Sequence, residues 1–193
     1  MFMRESYLRY FFGFMVTVLL LIVLIFLLFH HGGGNKTVPS TSVPLYDYSN
    51  NDSEVRMTID GPTNANEIHQ QVQVTVNQNV VTYDQIQGYE GTVVFQEQFD
   101  NNENAFNAFL RSLTIAGYTD GTSSSSLSNE QGHCPLGDRY IFELIQNGND
   151  LERYWTTNCP NVNHSYYGEL LLTMQLFEAQ VPSYSTLTQN LKI

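Results

Sequence analysis

Two cysteines and the histidines near them are the first residues in this sequence whose types could do chemistry. His133 adjoins Cys134, and His164 follows Cys159 by five positions. Two thiolates with two imidazoles suit a structural zinc ion, and a cysteine beside a histidine suits nucleophilic catalysis. The spacing argues against the zinc ion. Structural zinc sites usually draw paired ligands such as C-x-x-C, and neighbours in an extended chain point to opposite faces, which keeps His133 and Cys134 from one ion. A disulfide would also consume the thiolate that nucleophilic chemistry needs.

Carboxylates give two further patterns. Glu143 and Glu152 would face each other across a hairpin as a glycosidase-like pair, but a one-residue change of register separates them, and Arg139 or Arg153 would neutralise either. Asp100-Asn101-Asn102-Glu103-Asn104 opens like a calcium loop, yet Ala105 stands where glycine is needed and Arg111 where a chelating glutamate is needed. That stretch reads better as a helix start, with Asp100 as the cap and Glu103 completing a capping box. No G-x-S-x-G, P-loop, G-x-G-x-x-G or H-E-x-x-H occurs. The sequence thus offers no catalytic residue, cofactor site or metal site.

The elements that must position these residues follow from periodicity. Residues 71–77 alternate Val72, Val74 and Val76 with polar residues, 80–86 resume β-type residues after a polar turn, and 92–99 continue after Gly88 and Gly91. Residues 55–59 suit an added edge strand. The period then changes to three and four with Phe106, Phe109, Leu110 and Leu113, predicting a helix over 101–116 that ends before Gly117. Residues 140–146 and 151–158 flank Asn147-Gly148-Asn149-Asp150, a strong turn sequence. Tyr140, Phe142 and Leu144 share a face that Trp155 is expected to join. A last helix is predicted over 165–180, with Tyr167, Leu170, Leu171, Met174, Phe177 and Val181 on one apolar stripe, stopped by Pro182. The expected fold is α+β: a meander, a helix, a hairpin and a helix, with about five antiparallel strands in one sheet.

Closing the second hairpin brings Cys134 and Cys159 to nearly opposite positions. A disulfide is expected there if the compartment oxidises thiols. Residues 10–29 supply that condition, being an uncharged apolar run of about 30 Å as a helix, the thickness of a hydrocarbon core. The run is longer than a signal-peptide core and leaves through histidine and glycine with no cleavage motif, so it reads as an uncleaved transmembrane signal anchor. Arg4 and Arg9 precede it and hold the N-terminus in the cytoplasm. The expected organisation is a cytoplasmic tail (1–9), a single-pass anchor in the cell membrane (10–29), a flexible Gly-, Pro- and Ser-rich linker (30–54) and an extracytoplasmic domain (55–193).

Charge narrows the partners. The chain carries 19 acidic and 8 basic residues, a formal net charge of −11. Nucleic acid binding draws on clustered Lys and Arg, which are absent here, and an acidic surface favours cationic partners.

Cys134-Pro135-Leu136-Gly137, Arg139-Tyr140-Ile141, Glu143-Leu144, Arg153-Tyr154-Trp155, Cys159, Pro182 and Tyr184 together resemble a group of short signal-anchored surface proteins of very small, host-attached bacteria. The resemblance implies a bacterial surface location and a shared domain from about residue 67 onward, and it carries no activity and no catalytic residue. In a bacterium, the sequons at Asn35, Asn51 and Asn163 then mean little. Three functions are consistent with the sequence. The first is a non-catalytic recognition or assembly domain for a surface protein or glycan. The second is a structural subunit of an envelope complex that makes its contacts through the transmembrane helix. The third, with no convincing constellation behind it, is an envelope hydrolase.

Overall fold

A computed structural model describes residues 14–21, 43–49 and 52–193 of the chain. The chain divides into two compact units, Met1–Ser42 and Val43–Ile193. In the first, residues 14–21 are helical. Arg4, Arg9 and the remainder of the expected span 10–29 lie outside the described residues, as do Asn35 and Asn51. Among the described residues no helix is long and apolar enough to cross a membrane.

The second unit is α+β. Its strands are β1 (Ser53–Asp60), β2 (Gln70–Asn77), β3 (Val80–Gln87), β4 (Thr92–Asp100), β5 (Arg139–Gln146) and β6 (Asn149–Thr157). They form one six-stranded sheet in the order β4-β3-β2-β1-β5-β6, with every neighbour antiparallel. Its helices are α1 (Glu103–Ile115), α2 (Leu170–Glu178) and α3 (Tyr184–Thr188). The folded unit reaches back into the expected linker, because the short 3-10 turn Leu45–Tyr48 buries Leu45 in the core.

Residues 55–59 do not form an edge strand. β1 is central, pairing β2 on one side and β5 on the other. The reason is visible in its side chains: Val55, Met57 and Ile59 are all buried on the face that the helices cover, and a strand so apolar gains most where neighbours shield both flanks.

Local chemistry fixes the connections. Asn77 Oδ1 accepts hydrogen bonds from the amides of Asn79 and Val80, closing the β2–β3 hairpin. Asn147 and Gly148 adopt φ of 52° and 72°, the two positive values that a two-residue hairpin turn requires, so the second hairpin forms where its turn sequence predicts. Helix α1 starts two residues later than expected. Asn102, not Asp100, is the cap, and its side chain accepts from the Ala105 amide at 3.0 Å. Gly117 takes φ 72° after the last turn, as predicted.

The helices lie on one face of the sheet. Phe106, Phe109, Leu110 and Leu113 from α1 and Phe177 from α2 meet Val55, Met57, Val74, Tyr83 and Phe142 in a single core. Phe109 and Phe177 pack edge to face at 5.2 Å. Tyr118, fully buried, reaches from beyond α1 into the sheet. Its hydroxyl lies 2.7 Å from the Glu143 carbonyl, which it can donate to, and accepts from the Arg56 amide at 3.3 Å. Burial pushes this phenol well above its usual range.

Two expectations fail on the hairpin and the last helix. Trp155 pairs opposite Ile141, so it lies on the face away from Tyr140 and Phe142, where its indole NH donates to the Leu127 carbonyl at 2.9 Å. Successive residues of a strand alternate faces, and the register sets the parity. The C-terminal helix covers only Leu170–Glu178. Tyr167 and Leu171 are exposed, while Thr173, Phe177 and Val181 take the buried positions. Ser183, at φ 60°, then redirects the chain into α3.

Candidate functional site

The residues around the disulfide form the most chemically distinctive place in the domain. Cys134 and Cys159 are bonded, with Cα atoms 5.7 Å apart. The bond closes the open ends of β5 and β6. Asn158 then stitches the two ends, its Oδ1 accepting from the Asp138 amide at 3.0 Å and its Nδ2 donating to Asp138 Oδ2 at 2.9 Å. Thr157 Oγ1 donates to the Asp138 carbonyl at 2.8 Å. Gly137 makes the approach possible, since a Cβ there would collide with Asn158 Oδ1 and Cys134 Sγ.

This framework presents Asp138 to a cavity of about 220 Å³ between the sheet and the C-terminal helices. Ile59 from β1, Met174 from α2 and Ile193 give it an apolar floor. Glu178 adds a second carboxylate from α2, one turn beyond Met174. Tyr140 and Tyr184 supply two phenols, and Tyr184 is held edge-on to Tyr83 at 6.0 Å. Among the described residues no lysine or arginine lines the cavity.

The electrostatics follow from that composition. Burial raises the Asp138 carboxyl above its usual value, with Arg139 and the Asn158 hydrogen bond opposing the shift and Asp60 adding to it. Burial alone raises Glu178. The Glu178 carboxylate has no hydrogen-bond or ion-pair partner among the described residues. Tyr140 is raised by burial and by Asp138, and Tyr184 is raised further by burial, Glu178 and the two neighbouring phenols. At neutral pH both phenols therefore stay protonated.

A raised carboxyl contributes stability that is full below its unfolded value and is lost as pH rises through the folded value. The unfolded reference for Glu178 is 4.5. Wild type should therefore lose stability relative to the Glu178→Gln variant as pH rises above that value. Urea midpoints of both proteins below and above it check this, and a constant difference would exclude the shift.

On the opposite sheet face, beside the same strand end, Arg139 is buried in a polar cluster. Its Nε and Nη2 hold Asp60 Oδ2 at 2.9 and 2.8 Å, Nη1 donates to Thr63 Oγ1 at 3.1 Å, and Nη2 donates to the Gly61 carbonyl at 2.5 Å. Asp60 Oδ1 meets His69 Nε2 at 2.8 Å and Gln71 Nε2 at 3.1 Å. His69 is fully buried and stacks on Tyr89 at 4.1 Å. Arg139 is thus committed to Asp60 and donates nothing to the cavity.

The other sequence candidates separate. Glu143 lies opposite Arg153, which it meets at 3.2 Å, with Arg56 at 3.6 Å. Glu152 lies opposite Leu144 on the other face, so the two glutamates form no catalytic pair. Burial raises both carboxyls, and the two arginines oppose the shift at Glu143. Oε2 of Glu152 is buried with no hydrogen-bond partner among the described residues. His133 packs at a tilt on Trp155, with ring centroids 4.8 Å apart, and His164 Nδ1 lies 2.7 Å from the Tyr166 carbonyl. Among the described residues no group of three or more His, Cys, Asp or Glu could hold a metal ion. Ser165 of the third sequon is buried and bonds the Trp155 amide.

Sequence reasoning placed Tyr140 in the core and passed over Glu178. The available signal was a carboxylate one turn from Met174, set in the same stretch as the apolar stripe of the last helix. No protein-family model matches the chain, and no curated protein matches it.

Proposed function

We propose that this chain is a membrane-tethered, non-catalytic recognition domain at a bacterial cell surface, and that its disulfide-side cavity takes up a cationic group from a partner. The group is an ammonium or guanidinium on an aliphatic stem. One observation carries this reading: Asp138 and Glu178 face a cavity with an apolar floor and two aromatic walls, and among the described residues no cation lines it. The carboxylates would neutralise the charge, the phenol rings would offer π faces to it, and Ile59, Met174 and Ile193 would cover the stem. A volume of about 220 Å³ suits one side chain or a small amine and is too small for a polymer.

Isothermal titration of the full chain with N-acetyl-lysinamide, N-acetyl-argininamide and neutral N-acetyl-norleucinamide tests the reading. The cationic compounds should bind and the neutral one should not. Losing one carboxylate from a desolvated charge pair costs about 2 kcal/mol or more, so Glu178→Gln should weaken binding at least about tenfold. Equal binding of the neutral compound, or no binding of any, would discard the cationic ligand.

The tether rests on sequence: the apolar run 10–29, the arginines before it and the acidic domain after it. A periplasmic-type reporter fused after Ile193 should be active only outside the cytoplasm. Full protection of the C-terminal domain from external protease in intact cells, with cleavage after lysis, would reverse the orientation.

A further inference from the structure

The two edges of the sheet are treated differently. At β6, the outward groups of Trp155 are occupied: its amide donates to Ser165 Oγ at 2.9 Å, and its carbonyl accepts from the Ser165 and Tyr166 amides at 3.0 Å. At β4 there is no such cover. Among the described residues β4 pairs only with β3, and no backbone group of Thr92–Asp100 bonds anything outside that ladder.

The bare edge is also apolar and acidic. Val93, Val94 and Phe95 are 48, 56 and 41% exposed. Val94 is the extra residue of a bulge, since Gln85 pairs with Phe95 and Ile86 with Val93. Beyond the bulge the ladder is regular from Phe95 to Asp100. Natural edge strands are usually blunted by charge, proline, a bulge or a cover; the bulge of β4 guards only its first residues, and the regular run 95–100 has no lysine, no proline and, among the described residues, no cover. From residue 57 to residue 110 the sequence contains no lysine or arginine, while Glu90, Glu97 and Asp100 lie on β4 or its turn.

We infer that the β4 edge takes up an extended, lysine- or arginine-bearing segment of a partner protein as a seventh, antiparallel or parallel strand. The main-chain groups of residues 95–100 would supply the pairing, Val93 and Phe95 the apolar contact, and Glu97 and Asp100 the preference for a cation. The charge is what favours such a segment over a second copy of this acidic chain. The edge shares no residue with the lining of the disulfide-side cavity.

Amide hydrogen exchange of the full chain, read on β4, tests the inference with three probes: acetyl-(Lys-Val)3-amide, acetyl-(Glu-Val)3-amide, and the lysine peptide N-methylated at alternate residues. The lysine peptide should slow exchange of outward β4 amides at least about fivefold, and the other two should not. Its effect should weaken in 0.5 M salt, on the order of the screening expected for exposed charges, and in Gln98→Lys, which adds a cation to an exposed edge position. No slowing on β4, or equal slowing by the lysine and glutamate peptides, overturns the inference. So does β4 protection that grows with protein concentration without peptide, because a second copy would then own the edge.

Discussion

Arg139→Met should destabilise the folded domain by about 3 to 5 kcal/mol, the cost expected when one partner of a buried ion pair is removed. Arg139 is 4% exposed, and the side chain of Asp60 is 14% exposed. Without the guanidinium, Asp60 keeps only His69 and Gln71, and Thr63 Oγ1 and the Gly61 carbonyl lose a donor. Much of the loss is the penalty for an uncompensated carboxylate. Adding Asp60→Asn to Arg139→Met should therefore recover part of it, so that the double variant is less destabilised than the two single losses added together. Urea unfolding of the four proteins checks this. Strict additivity, or a loss below about 1 kcal/mol in Arg139→Met, would show that the cluster is not coupled.

Replacing both Cys134 and Cys159 by serine should cost about 3.5 kcal/mol on the chain-entropy estimate for a loop with a sequence separation of 25. Domains have a total margin of about 5 to 15 kcal/mol, so the variant should unfold at a visibly lower temperature. Cation binding by its folded fraction should persist within about threefold, because Asn158 and Thr157 hold Asp138 through hydrogen bonds of their own. Titration of two free thiols in the native oxidised protein would refute the bond, and a loss of binding larger than the loss of folding would give the disulfide a direct part in the site.

The α+β class, the two hairpins, α1 and the disulfide were legible because each has a local cause: a period of two, a period near four, a turn residue tolerant of positive φ, or a loop that closes on itself. Placing β1 was not a local problem. Its sequence fits an edge or a centre equally, and only the pairing of Met57 with both Val74 and Phe142 decides. Trp155 was misplaced for a related reason, since one position of register sends a side chain to the other face. The candidate site was the least legible part. Asp138, Tyr140, Glu178 and Tyr184 come from β5, the turn before it and two helices, and no spacing in the sequence marks a set of residues that only tertiary packing assembles.

The sheet order also sets the sequence of events during synthesis. β1 to β4 form a meander of neighbouring strands that can pair as soon as each is made. The other flank of β1 pairs with β5, joining Ser53 to Gln146 and Asp60 to Arg139, and must wait for a segment produced much later. Contacts between distant residues are slow to close, and the interval leaves an apolar strand half paired. Chains arrested before residue 139 should accordingly be captured by chaperones through β1, and release should coincide with completion of the β5–β6 hairpin, making that hairpin the commitment step of folding.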